Sequence, residues 1–284
     1  MQGSPRTHHS SLLTPLYFLH VPKAGGNSWR ATLLNLIPGL APCAPGVCSG
    51  LAEPSTRFCL HNHTGHAPYT ESDTAWRCAH RHALRMVMLR EPLSRIRSAY
   101  SHAAKKKSKT EPNGRRVGCC GMPRDAVAAI QSSGLSLEGY CRYPGSANVI
   151  AKQLSGRKPS STRTPNTELA LRTLNAFEFV GITEHYHESV ALLRHTLGLF
   201  GETGTNAVAH APTAWETLAD GVTVHTNVHN STSQKGCNDA SAEARNAIDM
   251  RLYREGVRLF ASRFCAVWPK HRVICDRPLQ REVG

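Results

Sequence analysis

The sequence predicts an α/β domain built on a mostly parallel central sheet. Three observations carry that expectation. Short apolar runs recur at 16–21, 85–89 and 177–182, each the length of a buried strand. A segment with apolar residues at helical spacing follows each run, which is the strand–helix alternation of a parallel sheet. The chain has 284 residues, 40% of them hydrophobic: enough for one large α/β domain or two small ones, and too apolar for global disorder.

Taken in order, residues 1–15 read as a flexible tail and 16–284 as the domain. The stretch "YFLHVPKAGGNSW" (Tyr17–Trp29) leads from the first strand into a helix over 27–37. Residues 38–58 are rich in Pro, Gly and Cys and read as a long loop. "RMVML" (Arg85–Leu89) is the second strand, and "EPLSRIRSAYSHAA" (Glu91–Ala104) the helix after it. Pro92 suits a first helical position, and Leu93, Ile96 and Tyr100 share one face. The basic, turn-rich stretch 105–124 lies within the domain. Short helices are expected at 125–131 and 146–155. "FEFVGI" (Phe177–Ile182) is the third strand, and Thr183 stands where it would cap the helix "EHYHESVALLRHTLGLF". Residues 201–236 are weakly patterned, and one long helix is expected over Ser241–Phe264.

The formal net charge of +14 suits a polyanion: nucleic acid, anionic membrane or acidic polysaccharide. No apolar run reaches the roughly 18 to 20 residues that span a bilayer, and the first residues lack the pattern of a secretory signal. That leaves an intracellular soluble protein, or one whose targeting segment lies outside this sequence. The ten cysteines include no C-x-x-C pair, and several fall in loops. Disulfides in an oxidising lumen and free thiols in the cytosol fit equally. The sequons at Asn62 and Asn230 lean toward the lumen.

The Tyr17–Trp29 stretch has the chemistry of an anion loop. Gly25 and Gly26 let the backbone approach a ligand closely. Ser28 stands where a helix begins, with its free N–H groups and positive dipole end. Lys23 adds a mobile charge. The order Lys-x-Gly-Gly-x-Ser is not G-x-x-x-x-G-K-[ST], and it is not G-x-G-x-x-G. "RMVMLREPLSRIRSAYSH" repeats the layout, with Arg90 at the strand end and Ser98 two turns into the helix. Ligands of parallel sheets bind beyond the carboxyl ends of the strands, so Lys23 and Arg90 are expected to share one crevice.

Together these two stretches resemble the sulfotransferase superfamily, nearest to the carbohydrate group with the heparan sulfate 2-O- and 6-O-sulfotransferases. "FLHVPKAGGNS" resembles that group's 5′-phosphosulfate loop and "VMLREPLSRIRSAYSH" its 3′-phosphate motif. Weaker similarity continues through "ANVIAKQLSG", "FEFVGITEHYHESVALL" and "NAIDMRLYREGVRLF", so it covers about residues 16 to 264.

The resemblance implies a P-loop-like three-layer α/β/α fold and a donor, 3′-phosphoadenosine 5′-phosphosulfate (PAPS), with the bisphosphate PAP as product. It implies that Lys23 contacts the bridging oxygen and acts in catalysis. Ala24, Gly25, Gly26, Asn27 and Ser28 would hold the 5′ end, and Arg90 and Ser98 the 3′-phosphate. Asn27 stands in place of the usual Thr. No metal is implied, since Lys23 can neutralise the leaving phosphate.

Sulfuryl transfer needs a base, and histidine suits it. "GHAPY" resembles the family segment that carries the base, which makes His66 the expected residue and His63 the second candidate. "HNHTGH" also has the His spacing of H-x-H-x-D-H metal sites, but Gly65 takes the aspartate's place. Lys235, in "NSTSQKG", is a further donor contact by analogy with a closing segment.

The expected acceptor is an acidic or neutral glycan, with a small metabolite as the alternative; neither nucleic acid nor a membrane span is expected. The family places the enzyme in the Golgi lumen, with the cytoplasm as the alternative. Two other classes compete: a P-loop-like kinase or hydrolase, and a non-catalytic polyanion binder.

Overall fold

The computed structural model of the chain describes residues 14–37, 39–42, 58–62, 69, 83–105, 121–199, 237 and 240–275. Five strands form one sheet: β1 (Thr14–Leu19), β2 (Ala41–Pro42), β3 (Phe58–Asn62), β4 (Leu84–Leu89) and β5 (Phe179–Ile182). Their order is β2-β3-β1-β4-β5, and every pairing is parallel. The apolar runs of β1, β4 and β5 are therefore explained by position. They are the three adjacent strands covered on both faces, which removes any need for polar alternation.

Helix α1 (Gly26–Leu36) follows β1, and α2 (Pro92–Lys105) follows β4. Next come α3 (Arg124–Ser132), α4 (Leu137–Cys141), α5 (Val149–Leu154) and α6 (Thr167–Asn175). A 3₁₀ turn at Thr183–His185 leads from β5 into α7 (Tyr186–Thr196). The last described elements are α8 (Ala240–Arg245), α9 (Ala247–Val267) and α10 (Arg272–Cys275).

Side chains alternate across the sheet, and the register fixes which share a face. Phe18, Met86 and Phe179 are partners along one row. Trp29 of α1 stacks on Phe179 with centroids 5.2 Å apart and meets Tyr186 of α7 edge-on at 5.8 Å. On the opposite face, the missing side chain of Gly256 in α9 leaves room for Leu89 and Val180. Helices thus cover both faces, and the fold is the expected three-layer α/β/α type. A smaller apolar cluster joins Leu93, Ile96 and Ala99 of α2 to Val127, Ile130 and Tyr140 of α3 and α4. Disulfides tie Cys141 to Cys237 and Cys265 to Cys275.

Several boundaries depart from expectation. The first strand begins at Thr14, so the last two residues of the expected tail are sheet; Pro15 sits second in the strand, opposite Cys59. Proline normally argues against a central strand. Here it falls at the strand's entry, where a missing N–H removes little of the ladder. The stretch 38–58 was expected as loop throughout, yet it supplies β2 and the first residue of β3, Phe58. The long C-terminal helix is broken at Asn246, whose side-chain oxygen accepts from the distant Asn148 N. Thr183 does not cap a helix. Its hydroxyl is taken by two carbonyls of neighbouring elements.

Candidate active site

From β1 the chain crosses by α1 toward β2 on one side; from β4 it crosses toward β5 on the other. The crossovers diverge between β1 and β4, and a parallel sheet opens a ligand crevice there, beyond the strand ends. The loop after β1 and Arg90 after β4 flank that point.

The loop is built for close approach. Gly25 has φ +76°, a left-handed conformation that Gly adopts without strain, and it precedes the first residue of α1. Gly26 is required for another reason: a Cβ there would overlap the imidazole of His20. That ring stacks on Phe18 with centroids 6.0 Å apart. Lys23 has φ +64°, a strained state for a residue with a side chain. Trp29 N donates to Gly25 O at 2.9 Å, the first helical bond, so the amides of Gly26, Asn27 and Ser28 find no acceptor inside the helix. Among the described residues, nothing else compensates that end. The first turn contains no acidic residue, and no side chain caps it. Free amides, an unopposed dipole and a neighbouring lysine fit a phosphate-like group.

Arg90 lies across the divide. Its Nη1 donates to the Lys23 carbonyl at 3.3 Å, which holds the two cationic residues to one crevice. Arg90 is half-buried, and burial draws its pKa below that of a free arginine; Glu184 and Glu91 oppose that shift, while Arg97 and Arg95 reinforce it. The neighbouring segments are braced. Thr183 Oγ1 donates to Leu89 O at 2.8 Å, with Ala24 O at 3.2 Å sharing the proton, so the end of β5 joins both β4 and the loop. Glu91 caps α2 by accepting from Leu93 N at 2.8 Å and from Ser94 N. Its own N–H donates to Glu184 Oε1 at 3.0 Å, and Tyr253 Oη donates to Glu184 Oε2 at 3.1 Å.

Lys23, Ala24, Gly25, Gly26, Asn27 and Ser28 therefore stand together in the loop and the start of α1, with Arg90 bonded to the Lys23 carbonyl. Ser98 lies two turns along α2, partly exposed. His63, His66 and Lys235 lie outside the described residues, as does most of the basic stretch 105–124. Among the described residues, no group of three or more His, Cys, Asp or Glu is placed to hold a metal ion. No helix among them is long and apolar enough to cross a membrane.

Sequence reasoning missed Thr183 and Glu184 as supports of this crevice. The sequence shows only a pair of polar residues directly after a buried strand; the contacts that give them this part are made by the sheet. Sequence reasoning also missed a buried charge cluster beneath α2, with Arg95 at 1%, Lys152 at 4% and Asp249 at 0% exposure. Asp249 accepts from Ile150 N at 3.1 Å and Ala151 N at 2.8 Å, so it caps α5 from the neighbouring helix. Burial pushes its pKa up against the pull of Arg95, those two amides and Lys152. Burial also pushes the Lys152 ammonium down to about 8, against the support of Asp249.

Two comparisons bear on the chain as a whole. The model of a family described as "Sulfotransferase family" matches residues 14–261. No curated protein matches the sequence.

Proposed function

This chain belongs to the sulfotransferase family, and we propose that it moves the sulfuryl group from PAPS to a hydroxyl of a carbohydrate acceptor. The observation that carries the proposal is the hydrogen bond from Arg90 to the Lys23 carbonyl across the divide between β1 and β4. Two cationic residues meeting at one crevice support a ligand that bears phosphate at both its 3′ and 5′ positions.

The donor supplies an activated sulfuryl group on its 5′-phosphate. In this reading the amides of Gly26, Asn27 and Ser28 hold that phosphate at the helix N-terminus. Arg90 and Ser98 hold the 3′-phosphate, with Lys235 closing from the later segment. Lys23 meets the negative charge that grows on the phosphate oxygen as its bond to sulfur breaks. The acceptor oxygen forms the new bond to sulfur in line with that departure, and His66 takes the acceptor's proton. A base so placed contributes roughly 10² to 10⁴ in rate.

The net charge of +14 and the basic stretch 105–124 support an acidic glycan as acceptor. The two disulfides fit an oxidising compartment, and with the family resemblance they favour the Golgi lumen.

The test is transfer of labelled sulfate from PAPS to a panel of desulfated glycans and small alcohols. Transfer to at least one glycan is expected. His66→Ala should lower turnover by roughly 10² or more while PAP binding persists. Near-normal turnover in that variant removes His66 from the role, and a preference for ATP over PAPS overturns the proposal.

A further inference from the structure

We propose that a cleft beside α5 binds one acid group of the acceptor chain, a uronate carboxylate or an N-sulfate, next to the sugar that receives the sulfuryl group. The inference rests on the sulfotransferase reading above.

The cleft has a volume of about 270 Å³ and is lined by residues that include Tyr143, Gly145, Lys152, Thr162, Arg163 and Arg245. Among the described residues, the lining holds three cations, three hydroxyl-bearing side chains and no carboxylate. The volume is near the small end of ligand sites, roughly 300 Å³, and suits one sugar unit better than a nucleotide.

The cations differ in kind. Lys152 is 4% exposed, and its Nζ donates to Gly145 O at 3.1 Å. An ammonium has three donors, so that carbonyl takes one of them. Behind it lie Arg95 and Asp249, also buried, and both Asp249 oxygens are already used by the amides of α5. Among the described residues, the buried cluster thus sets two cations against one carboxylate. An excess buried charge is costly unless paired, and an anion in the cleft would pair it. Arg163 and Arg245 are exposed, and they reach the rim from different elements, the α5–α6 connection and the end of α8. Two guanidinium forks over a buried ammonium form an arrangement that selects carboxylate or sulfate.

The cleft also has the right neighbours. Gly121 packs against both Pro22 of the anion loop and Pro159, and Gly145 of the cleft wall packs against the Ser160 carbonyl. Gly121 and the strip at Pro159–Ser160 therefore connect the loop to the cleft wall by successive contacts. Gln153, the residue after Lys152, donates to the His20 carbonyl at 3.2 Å, which fixes α5 to the end of β1. Both phosphates of the donor already have partners in the loop and Arg90, so the cleft is left to the other substrate.

The test is calorimetric titration of the full chain with three probes. They are an unsulfated hexasaccharide of alternating uronic acid and N-acetylhexosamine, its carboxyl-reduced form, and an N-sulfated form. PAP binding is measured on the same samples. The double variant Arg163→Ala/Arg245→Ala should bind the charged probe ~10-fold more weakly than wild type and PAP equally well. Arg172→Ala, which removes an exposed arginine elsewhere, should bind the hexasaccharide as wild type does. A carboxylate site is shown by preference for the uronate probe over its reduced form, and a sulfate site by preference for the N-sulfated probe. The inference is overturned if wild type binds PAP but none of the probes, or if the double variant matches Arg172→Ala. Failure of wild type to bind PAP instead overturns the underlying sulfotransferase reading.

Discussion

Gly25 and Gly26 are adjacent and look interchangeable, but the fold uses them for different reasons. Gly25 is required by its backbone angle, and Gly26 by the ring of His20. Gly26→Ala must displace either that ring or the first turn of α1. We predict at least a ~10-fold loss of PAP affinity, the scale of one hydrogen bond to a charged group, with a modest fall in melting temperature. Calorimetry and thermal unfolding check this; unchanged PAP affinity would mean the loop is not the donor cradle. Lys23 and Arg90 were legible in the sequence because each is a basic residue at or just past the end of an apolar run. The part played by Thr183 was not, because its acceptors Ala24 and Leu89 are 159 and 94 residues away and only the sheet brings them together.

At the level of elements, strands and helices with strong local patterns were legible, and those fixed by distant partners were not. The break at Asn246 illustrates the second kind. Its side-chain oxygen accepts from Asn148 N at 3.2 Å, 98 residues away, so a tertiary contact accompanies the interruption of a continuous helical pattern. The capping of α5 by Asp249, 98 residues from Ala151, is equally invisible to periodicity. This element carries a pH signature. Lys152 is pushed down to about 8 in the fold, against roughly 10.4 unfolded. A lysine whose folded pKa is depressed opposes folding while it is charged in the native state. Stability should therefore rise as pH increases from about 8 toward 10, by no more than ~1.4 kcal/mol per pH unit. Denaturant midpoints across that range check it. Lys152→Met should flatten the rise, and an identical slope in that variant would assign the effect elsewhere.

The whole molecule joins a five-stranded sheet to a smaller apolar cluster around α2, α3 and α4, and the Cys141–Cys237 disulfide closes that cluster across 96 residues of sequence. Cross-links over long loops restrict the unfolded chain most. Cys141→Ser should cost ~2–5 kcal/mol, read as a lower denaturant midpoint, and an unchanged midpoint would show that the bridge does not form in solution. The sequence suggested disulfides through an even cysteine count, but the pairing depends on the fold. The central claim concerns the crevice where the two halves of the sheet diverge, with Lys23 and Arg90 held together by one hydrogen bond. Its most direct test is to titrate wild type and Arg90→Ala with PAP and with 5′-AMP, which differ only in the 3′-phosphate. Wild type should prefer PAP by roughly 100-fold, the ~3 kcal/mol scale of charge-assisted bonds, and Arg90→Ala should lose most of that preference. Equal affinity of wild type for the two nucleotides, or a preference that survives Arg90→Ala unchanged, would contradict the account.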